Sequence, residues 1–263
     1  MESRGTNDGR TERAPATGTN PATTSGRAAG ESLDPRAAAV ADRLRAANRR
    51  QSRRIAASVL ARSLRSHLGG GRGSVSGGGD GRSWMRDKLD AMDPTKAQIC
   101  YVTARTLGAR RVVEAGTGFG YSTIHLAAAV RDNVADGAGS ATVTPAVFGT
   151  EFEPTKAAAA RANLAEAGLD DLATVLDGDL RESLPTVDGP IDLMVLDVWI
   201  DMAAPALAAT LDALRPGAVV LANNVVVAAA QYAEYLAVVR DPNGPFRSST
   251  LPLRGGMEVS VRR

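Results

Sequence analysis

A chain of 263 residues with 44% hydrophobic residues can bury the core of one α/β domain plus an appendage, and not two equal halves. The apolar run around Ala203 to Leu214 is broken by Pro205 and Asp212, so no transmembrane helix is expected, and the single Cys100 excludes an internal disulfide framework. Because the N-terminus lacks the apolar segment of a secretory signal, we expect a cytoplasmic protein.

The net charge of +2 hides a basic N-terminal third, since residues 1–82 hold 15 arginines against seven acidic residues. We predict a disordered basic tail over residues 1–33, an amphipathic helical segment over 34–68 and a glycine-rich linker over 69–82. No aromatic residues that could stack on bases lie among these arginines, so a nucleic-acid partner is not expected. The apolar stripe of the helical segment lacks Trp and Phe, which favours packing against the main domain over binding to a membrane.

The remainder, residues 83–263, is predicted to form one domain in which strands alternate with helices. It opens with a helical stretch over residues 82–107, broken at Asp93-Pro94, with apolar residues at Ile99, Val102 and Leu107. Strands are predicted over residues 110–116, 146–152, 173–178, 191–197 and 218–225, followed by a hairpin of 246–253 with 257–263. Helices are predicted over residues 122–130, 154–168, 204–217 and 232–239.

This alternation predicts a doubly wound, Rossmann-like α/β fold with N-terminal helices added to it. Its sheet is expected to be mostly parallel, with the C-terminal hairpin as an antiparallel edge. Ligands of such sheets bind beyond the carboxyl ends of the strands, so the chemistry is expected there.

A glycine-rich turn, Gly116, Gly118 and Gly120, follows the first predicted strand and precedes the first helix. The spacing is G-x-G-x-G instead of the G-x-G-x-x-G of dinucleotide sites, and Glu114 stands immediately before it. A carboxylate there would repel a pyrophosphate but would suit the ammonium group of an amino acid. We therefore expect a ligand with an amino-acid end.

Two further strand ends carry acids suited to a nucleoside. Glu151 ends the second strand, where a carboxylate can accept hydrogen bonds from both ribose hydroxyls. Asp177, Gly178 and Asp179 end the third, where they either contact an adenine amine or form a simple turn. Together these positions indicate a nucleoside joined to an amino acid.

With these blocks the chain resembles class I S-adenosylmethionine-dependent methyltransferases, and among them the catechol O-methyltransferase type. The resemblance covers roughly residues 93–263 and is carried by VVEAGTGFGYST, FGTEFEPTK, VLDGD, MVLDVWID and VLANNV in that order. It implies that S-adenosyl-L-methionine is the cofactor. It also implies a set of cofactor-binding residues: Glu114, Gly116, Gly118, Tyr121 and Ser122 at the methionine end, Glu151 at the ribose, and Gly178, Asp179, Asp197 and Trp199 around the adenosyl group and the transferred methyl.

The acceptor end departs from the resembled family. There, two aspartates and an asparagine hold Mg²⁺, and a lysine three residues after the first aspartate is the general base. Here Asp197 and Asn224 match, but Asn223 replaces the second aspartate and Ile200 the lysine. Because hard cations are held chiefly by carboxylates, Asp197, Asn223 and Asn224 are expected to form a weak metal site or none.

We therefore predict an enzyme that transfers a methyl group to a small-molecule acceptor, through an oxygen nucleophile. Asp197 is the catalytic candidate, with Asp201 and His125 as the other groups that could activate the acceptor. The alternative is a catalytically weakened cofactor-binding protein with a regulatory or partner role, and a homodimer is left open.

Overall fold

The computed structural model describes residues 32–68, 89 and 91–263. The predicted linker over residues 69–82 lies outside the described residues, as do residues 1–31 of the predicted tail and all of residues 83–90 except residue 89.

The strands in the described part of the chain form one sheet of seven. They are β1 Arg111–Ala115, β2 Ala146–Glu151, β3 Ala173–Asp177, β4 Ile191–Leu196, β5 Leu214–Asn223, β6 Phe246–Leu251 and β7 Met257–Arg262. Their order is β3-β2-β1-β4-β5-β7-β6, with β1 to β5 parallel and β7 antiparallel to both β5 and β6. The mostly parallel sheet with a C-terminal antiparallel hairpin is confirmed.

Helices connect the parallel strands and precede the first of them. They are α1 Pro35–Leu68, α2 Pro94–Thr106, α3 Tyr121–Ala135, α4 Pro154–Ala167, α5 Leu180–Ser183, α6 Ala203–Thr210 and α7 Ala233–Val239, with 3₁₀ turns at Leu184–Thr186 and Ile200–Met202. Local sequence signals set where these helices begin and end. Asp93 caps α2 by accepting a hydrogen bond from the Thr95 N–H at 2.9 Å, and Gly168 ends α4 in the left-handed conformation at φ 70°.

Each face of the sheet buries its own apolar core. Val112 of β1 faces a core completed by α1 to α4, whereas Val113 faces a second core completed by α5, α6 and α7. Strand β4 lies between β1 and β5, and all six of its residues are buried. Side chains that alternate between two covered faces explain why these strands read as continuous apolar runs.

Helix α1 packs on the first of these cores through Ala37, Val40 and Leu44. Its Arg36 guanidinium also donates hydrogen bonds to the carbonyls of Glu166 and Ala165, at 2.6 and 2.8 Å. These carbonyls belong to the last turn of α4, where helical carbonyls lack partners within the helix. The N-terminal part of α1 is therefore fixed to the sheet domain by burial and by capping.

The helix predicted over residues 204–217 was too long. Helix α6 ends at Thr210, and residues 214–217 belong to strand β5, where Leu214 pairs with Ile191. Pro216 and Gly217 disfavour the helix interior, and a partner strand at this position gives the segment its extended form. Among the described helices, none combines the length and the apolar character needed to cross a membrane.

Candidate functional site

A cavity of about 700 Å³ opens at the carboxyl ends of the parallel strands. It lies where the chain order of the strands reverses, with β2 on one side of β1 and β4 on the other, which is where open α/β sheets bind ligands. The structure brings most of the predicted residues to its wall: Gly116, Gly118, Tyr121, Ser122, Glu151, Gly178, Asp179, Asp197, Trp199, Asn223 and Asn224. Glu114 is the predicted residue that does not line it.

The glycine turn after β1 meets two different requirements. A Cβ on Gly116, at φ 92°, would lie 2.2 Å from the Asp197 carbonyl oxygen, so the turn can pack against the end of β4 only without a side chain. A Cβ on Gly118 would meet nothing within 4 Å. At Gly118 the open space lies on the side of the cavity, and bare backbone is left there for a ligand to approach.

The Glu151 carboxylate braces this turn from the end of β2. Its Oε2 accepts a hydrogen bond from the Gly118 N–H at 2.8 Å, and its Oε1 accepts one from the Glu153 N–H at 2.9 Å. A carboxylate oxygen can accept a second hydrogen bond, so each oxygen keeps capacity for a ligand hydroxyl. Glu151 thus fixes the turn and also presents a negative charge at the cavity wall.

Glu114 lies beneath the turn and is completely buried. Its Oε2 accepts hydrogen bonds from Thr123 and, at 3.4 Å, from Thr117, whereas its Oε1 has no hydrogen-bond partner among the described residues. Burial raises the pKa of this carboxyl from 4.5 to about 7, against the opposing effect of the hydroxyl donors. Glu114 therefore lies behind the glycine turn and outside the cavity wall, so the structure does not bring it to the predicted methionine end.

Glu114→Gln is expected to change how stability depends on pH. Because the folded-state pKa is raised, this group's contribution to stability is complete below pH 4.5 and is lost as the pH rises to about 7. Between pH 4.5 and 8 the wild-type free energy of unfolding should therefore fall, relative to that of Glu114→Gln, by up to about 3 kcal/mol. Urea unfolding without cofactor at several pH values measures this, and parallel profiles for the two proteins would contradict it.

Asp179 and Trp199, the residues predicted for the adenine end, both line the cavity. Asp179 caps α5 through the Arg181 N–H and forms an ion pair with the Arg181 guanidinium, whose hydrogen bonds lower the Asp179 pKa to about 2. Arg181 also lines the cavity and was not predicted from the sequence. Trp199 is 44% exposed, and the cavity wall also includes the exposed apolar side chains of Phe152 and Val227.

Behind the acceptor end lies a residue that the sequence did not predict, Lys96 of α2, which contacts residues of the cavity wall without lining the cavity itself. Its ammonium donates hydrogen bonds to Asn223 Oδ1 at 2.5 Å, Asn224 Oδ1 at 3.2 Å and the Gly256 carbonyl at 3.1 Å. Asn223 in turn donates from Nδ2 to Asp197 Oδ1 at 2.7 Å. Lys96 is only 2% exposed, and this burial lowers its pKa against the opposing charge of Asp197.

These contacts decide whether Asp197, Asn223 and Asn224 fit a divalent cation. Both amide oxygens already accept from Lys96, and the three side chains supply one carboxylate. A positive charge therefore lies within the donor set that Mg²⁺ would need, and the residues do not fit the metal. Within residues 32–68, 89 and 91–263, no group of three or more His, Cys, Asp or Glu side chains is arranged to hold a metal ion.

One signal in the sequence could have identified Lys96. The buried face of α2 consists of Lys96, Ala97, Cys100 and Ala104, which are spaced as one helical stripe. Of the apolar residues noted in this helix, Ile99 and Leu107 are partly buried against the core, whereas Val102 is 52% exposed and the small residues form the fully buried face. Lysine is seldom fully buried unless it is paired, so a lysine on a stripe of small buried residues indicates an ammonium with specific partners.

The other two candidates for activating an acceptor lie elsewhere. His125 is 1% exposed within α3, with Nδ1 2.9 Å from the Tyr121 carbonyl, and does not line the cavity. Asp201 is exposed and likewise absent from the cavity wall. Of the three, only Asp197 reaches the cavity.

Comparison with known proteins shows which proteins this chain resembles. Residues 113–225 match the family described as "Methyltransferase domain". The chain is 33% identical over 137 residues to a catechol O-methyltransferase of Mycobacterium tuberculosis, a match that covers 52% of this chain and 57% of that protein. The chain thus spans less than two thirds of that relative.

Solved structures share the fold. The O-methyltransferase TomG of Streptomyces achromogenes, in complex with SAM, is 24% identical at a TM-score of 0.56, covering 65% of this chain and 81% of TomG. An O-methyltransferase of Bacillus cereus in complex with SAH is 22% identical at a TM-score of 0.56, covering 76% of this chain and 96% of that one. The predicted resemblance to class I methyltransferases of the catechol O-methyltransferase type is confirmed, and these comparisons give no support to the alternative of a cofactor-binding regulator.

Proposed function

We propose that this chain, whose residues 113–225 match a methyltransferase domain, transfers a methyl group from S-adenosylmethionine to an oxygen of a small-molecule acceptor. The observation that carries the proposal is one cavity whose wall contains the glycine turn and Glu151 together with Asp197 and Asn223. One half of the wall suits an adenosyl amino acid, and the other half carries the polar groups that an acceptor would meet.

The cofactor would be held along the strand ends in the order of its parts. Tyr121 and Ser122 would contact the methionine end, and Glu151 would accept hydrogen bonds from the ribose hydroxyls. Gly178 and Asp179 would approach the adenine amine, and Trp199 would pack on the adenine ring. S-adenosylmethionine supplies a methyl group already activated by its sulfonium.

The protein's task is then positioning and proton transfer. The acceptor oxygen attacks the methyl carbon, the C–O bond forms, and the electron pair of the breaking S–C bond stays on sulfur. We propose that the Asp197 carboxylate takes the proton of a hydroxyl acceptor, since Ile200 stands where the resembled family has its basic lysine. The products are a methyl ether, or an ester from a carboxylate acceptor, and S-adenosylhomocysteine.

Incubation with S-adenosylmethionine carrying a deuterated methyl group tests the proposal. With a panel of phenols, catechols and carboxylic acids, mass spectrometry should find at least one acceptor that gains the labelled methyl group. Calorimetry on the same preparation should find one cofactor site per chain. Cofactor binding without transfer to any acceptor would favour the regulatory alternative instead.

Four further points stand as proposals. We place the protein in the cytoplasm, without a nucleic-acid partner, and leave a homodimer to be decided by light scattering. The division into a tail, a helical segment, a linker and a domain from residue 83 onward awaits limited proteolysis.

A further inference from the structure

We infer that the Lys96 ammonium takes the place of a divalent cation at the acceptor end, so that this chain works without a metal and selects acceptors that present one oxygen instead of a chelating pair. The inference rests on the proposed function and specifies its substrate class. It depends on two features of Lys96: its ammonium is held in one position, and its three N–H donors are already engaged by protein oxygens.

The ammonium is held from three parts of the fold. Lys96 comes from α2, its amide partners Asn223 and Asn224 from the end of β5, and the Gly256 carbonyl from the turn between β6 and β7. An ammonium has three N–H donors, and these three oxygens engage all of them. Lys96 is only 2% exposed, so its side chain is packed in this position and is not a surface lysine.

The neighbouring groups are arranged for one positive charge. Asn224 adopts a left-handed conformation at φ 61°, and its N–H donates to the same Gly256 carbonyl that accepts from Lys96. Asn223 accepts a hydrogen bond from Lys96 and donates one to Asp197, so it links the ammonium to the carboxylate. A divalent ion in this group would have to displace the ammonium or lie against a like charge with a single carboxylate to offset it.

The arrangement changes what an acceptor can gain from the site. A metal ion with open coordination positions can bind two adjacent hydroxyls at once, whereas an ammonium with three occupied donors offers none. An acceptor would therefore be held by apolar side chains of the cavity wall, such as Val227, and direct one oxygen towards Asp197. The expected substrate is an apolar compound with an isolated hydroxyl or carboxyl group.

Binding of Mn²⁺, followed by electron paramagnetic resonance in the presence of S-adenosylhomocysteine, tests the inference without any need for turnover. The wild-type protein should bind no stoichiometric Mn²⁺. The variant Lys96→Ala/Asn223→Asp removes the ammonium and adds a carboxylate, and should bind one Mn²⁺ at least 100-fold more tightly than the wild type. Lys96→Ala/Asn223→Ala opens the same space without the carboxylate and should stay close to the wild type.

Each outcome is decisive. One equivalent of Mn²⁺ on the wild type, lost in Asp197→Asn, overturns the inference whatever the variants do. A Lys96→Ala/Asn223→Asp protein that still binds S-adenosylhomocysteine but no Mn²⁺ overturns it as well, because the ammonium would then not be what keeps the metal out.

Turnover separates the inference from the proposed function. Wild-type rates should agree within about twofold with Mg²⁺ and with a chelator, and catechol should be no better an acceptor than phenol itself. Loss of activity on chelation would overturn the inference while leaving methyl transfer established. Absence of turnover with every acceptor would count against the proposed function, and the Mn²⁺ experiment would still decide the role of Lys96.

Discussion

Glu151→Ala should weaken the binding of S-adenosylmethionine by about 100-fold or more. A hydrogen bond to a charged group contributes about 1.5–3 kcal/mol, and the carboxylate is expected to accept two from the ribose. The variant also loses the bond from the Gly118 N–H, which holds the turn in place. Isothermal titration calorimetry at neutral pH measures the affinity.

Two controls distinguish ligand binding from folding. Glu166→Ala removes an exposed glutamate that pairs with Arg43 outside the cavity, and should leave the affinity unchanged. Thermal unfolding of Glu151→Ala without cofactor reports the combined cost of the lost hydrogen bonds from the Gly118 and Glu153 N–H groups. Full cofactor affinity in a folded Glu151→Ala protein would remove the basis for the proposed orientation of the ligand.

Asp197→Asn is expected to lower turnover on the order of 100-fold or more, which is the usual contribution of a general base. Asparagine can still accept the hydrogen bond from Asn223 through its own Oδ1, so the local network is largely kept. Cofactor affinity should fall much less than turnover. Steady-state kinetics with the best acceptor of the panel, together with calorimetry, provides both quantities.

Comparing Asp197→Asn with the control variant Asp201→Asn tests which of the two aspartates takes the proton. Asp201 is exposed and does not line the cavity, so its variant should retain most of the turnover. A large loss of turnover in Asp201→Asn would reassign the proton transfer to Asp201. An equal loss of cofactor affinity and turnover in Asp197→Asn would make Asp197 a cofactor-binding residue only.

Local patterns were sufficient for most of the sheet and for the glycine turn. Strands β1 to β4 are predicted because apolar runs between turn residues encode a buried parallel sheet, whose carboxyl ends then fall on one edge. That edge brings Gly118, Glu151 and Asp197 to one cavity, as expected. The end of the helix before β5 was misplaced, because pairing of Leu214 with Ile191 depends on a strand more than 20 residues away.

Two details of the site depend on packing and not on spacing. The sequence shows that Glu114 precedes the glycine turn, where an acid was predicted to meet a ligand's ammonium. It does not show that Glu114 lies buried beneath the turn with its pKa raised to about 7. Burial, which raises that pKa, is a property of the elements packed around Glu114 and has no local signature.

The sequence by itself determined the sheet, most of the residues that line the cavity and the departures at Asn223 and Ile200, because hydrophobic periodicity and turn chemistry act over a few residues. Only the tertiary structure decided what compensates for those departures. Lys96 lies 127 residues before Asn223, and its ammonium reaches the acceptor end only because α2 packs through small side chains and the β6–β7 turn closes over β5. The helical stripe of α2 indicates that Lys96 is buried, but its contact with Asn223 follows only from how the elements pack together.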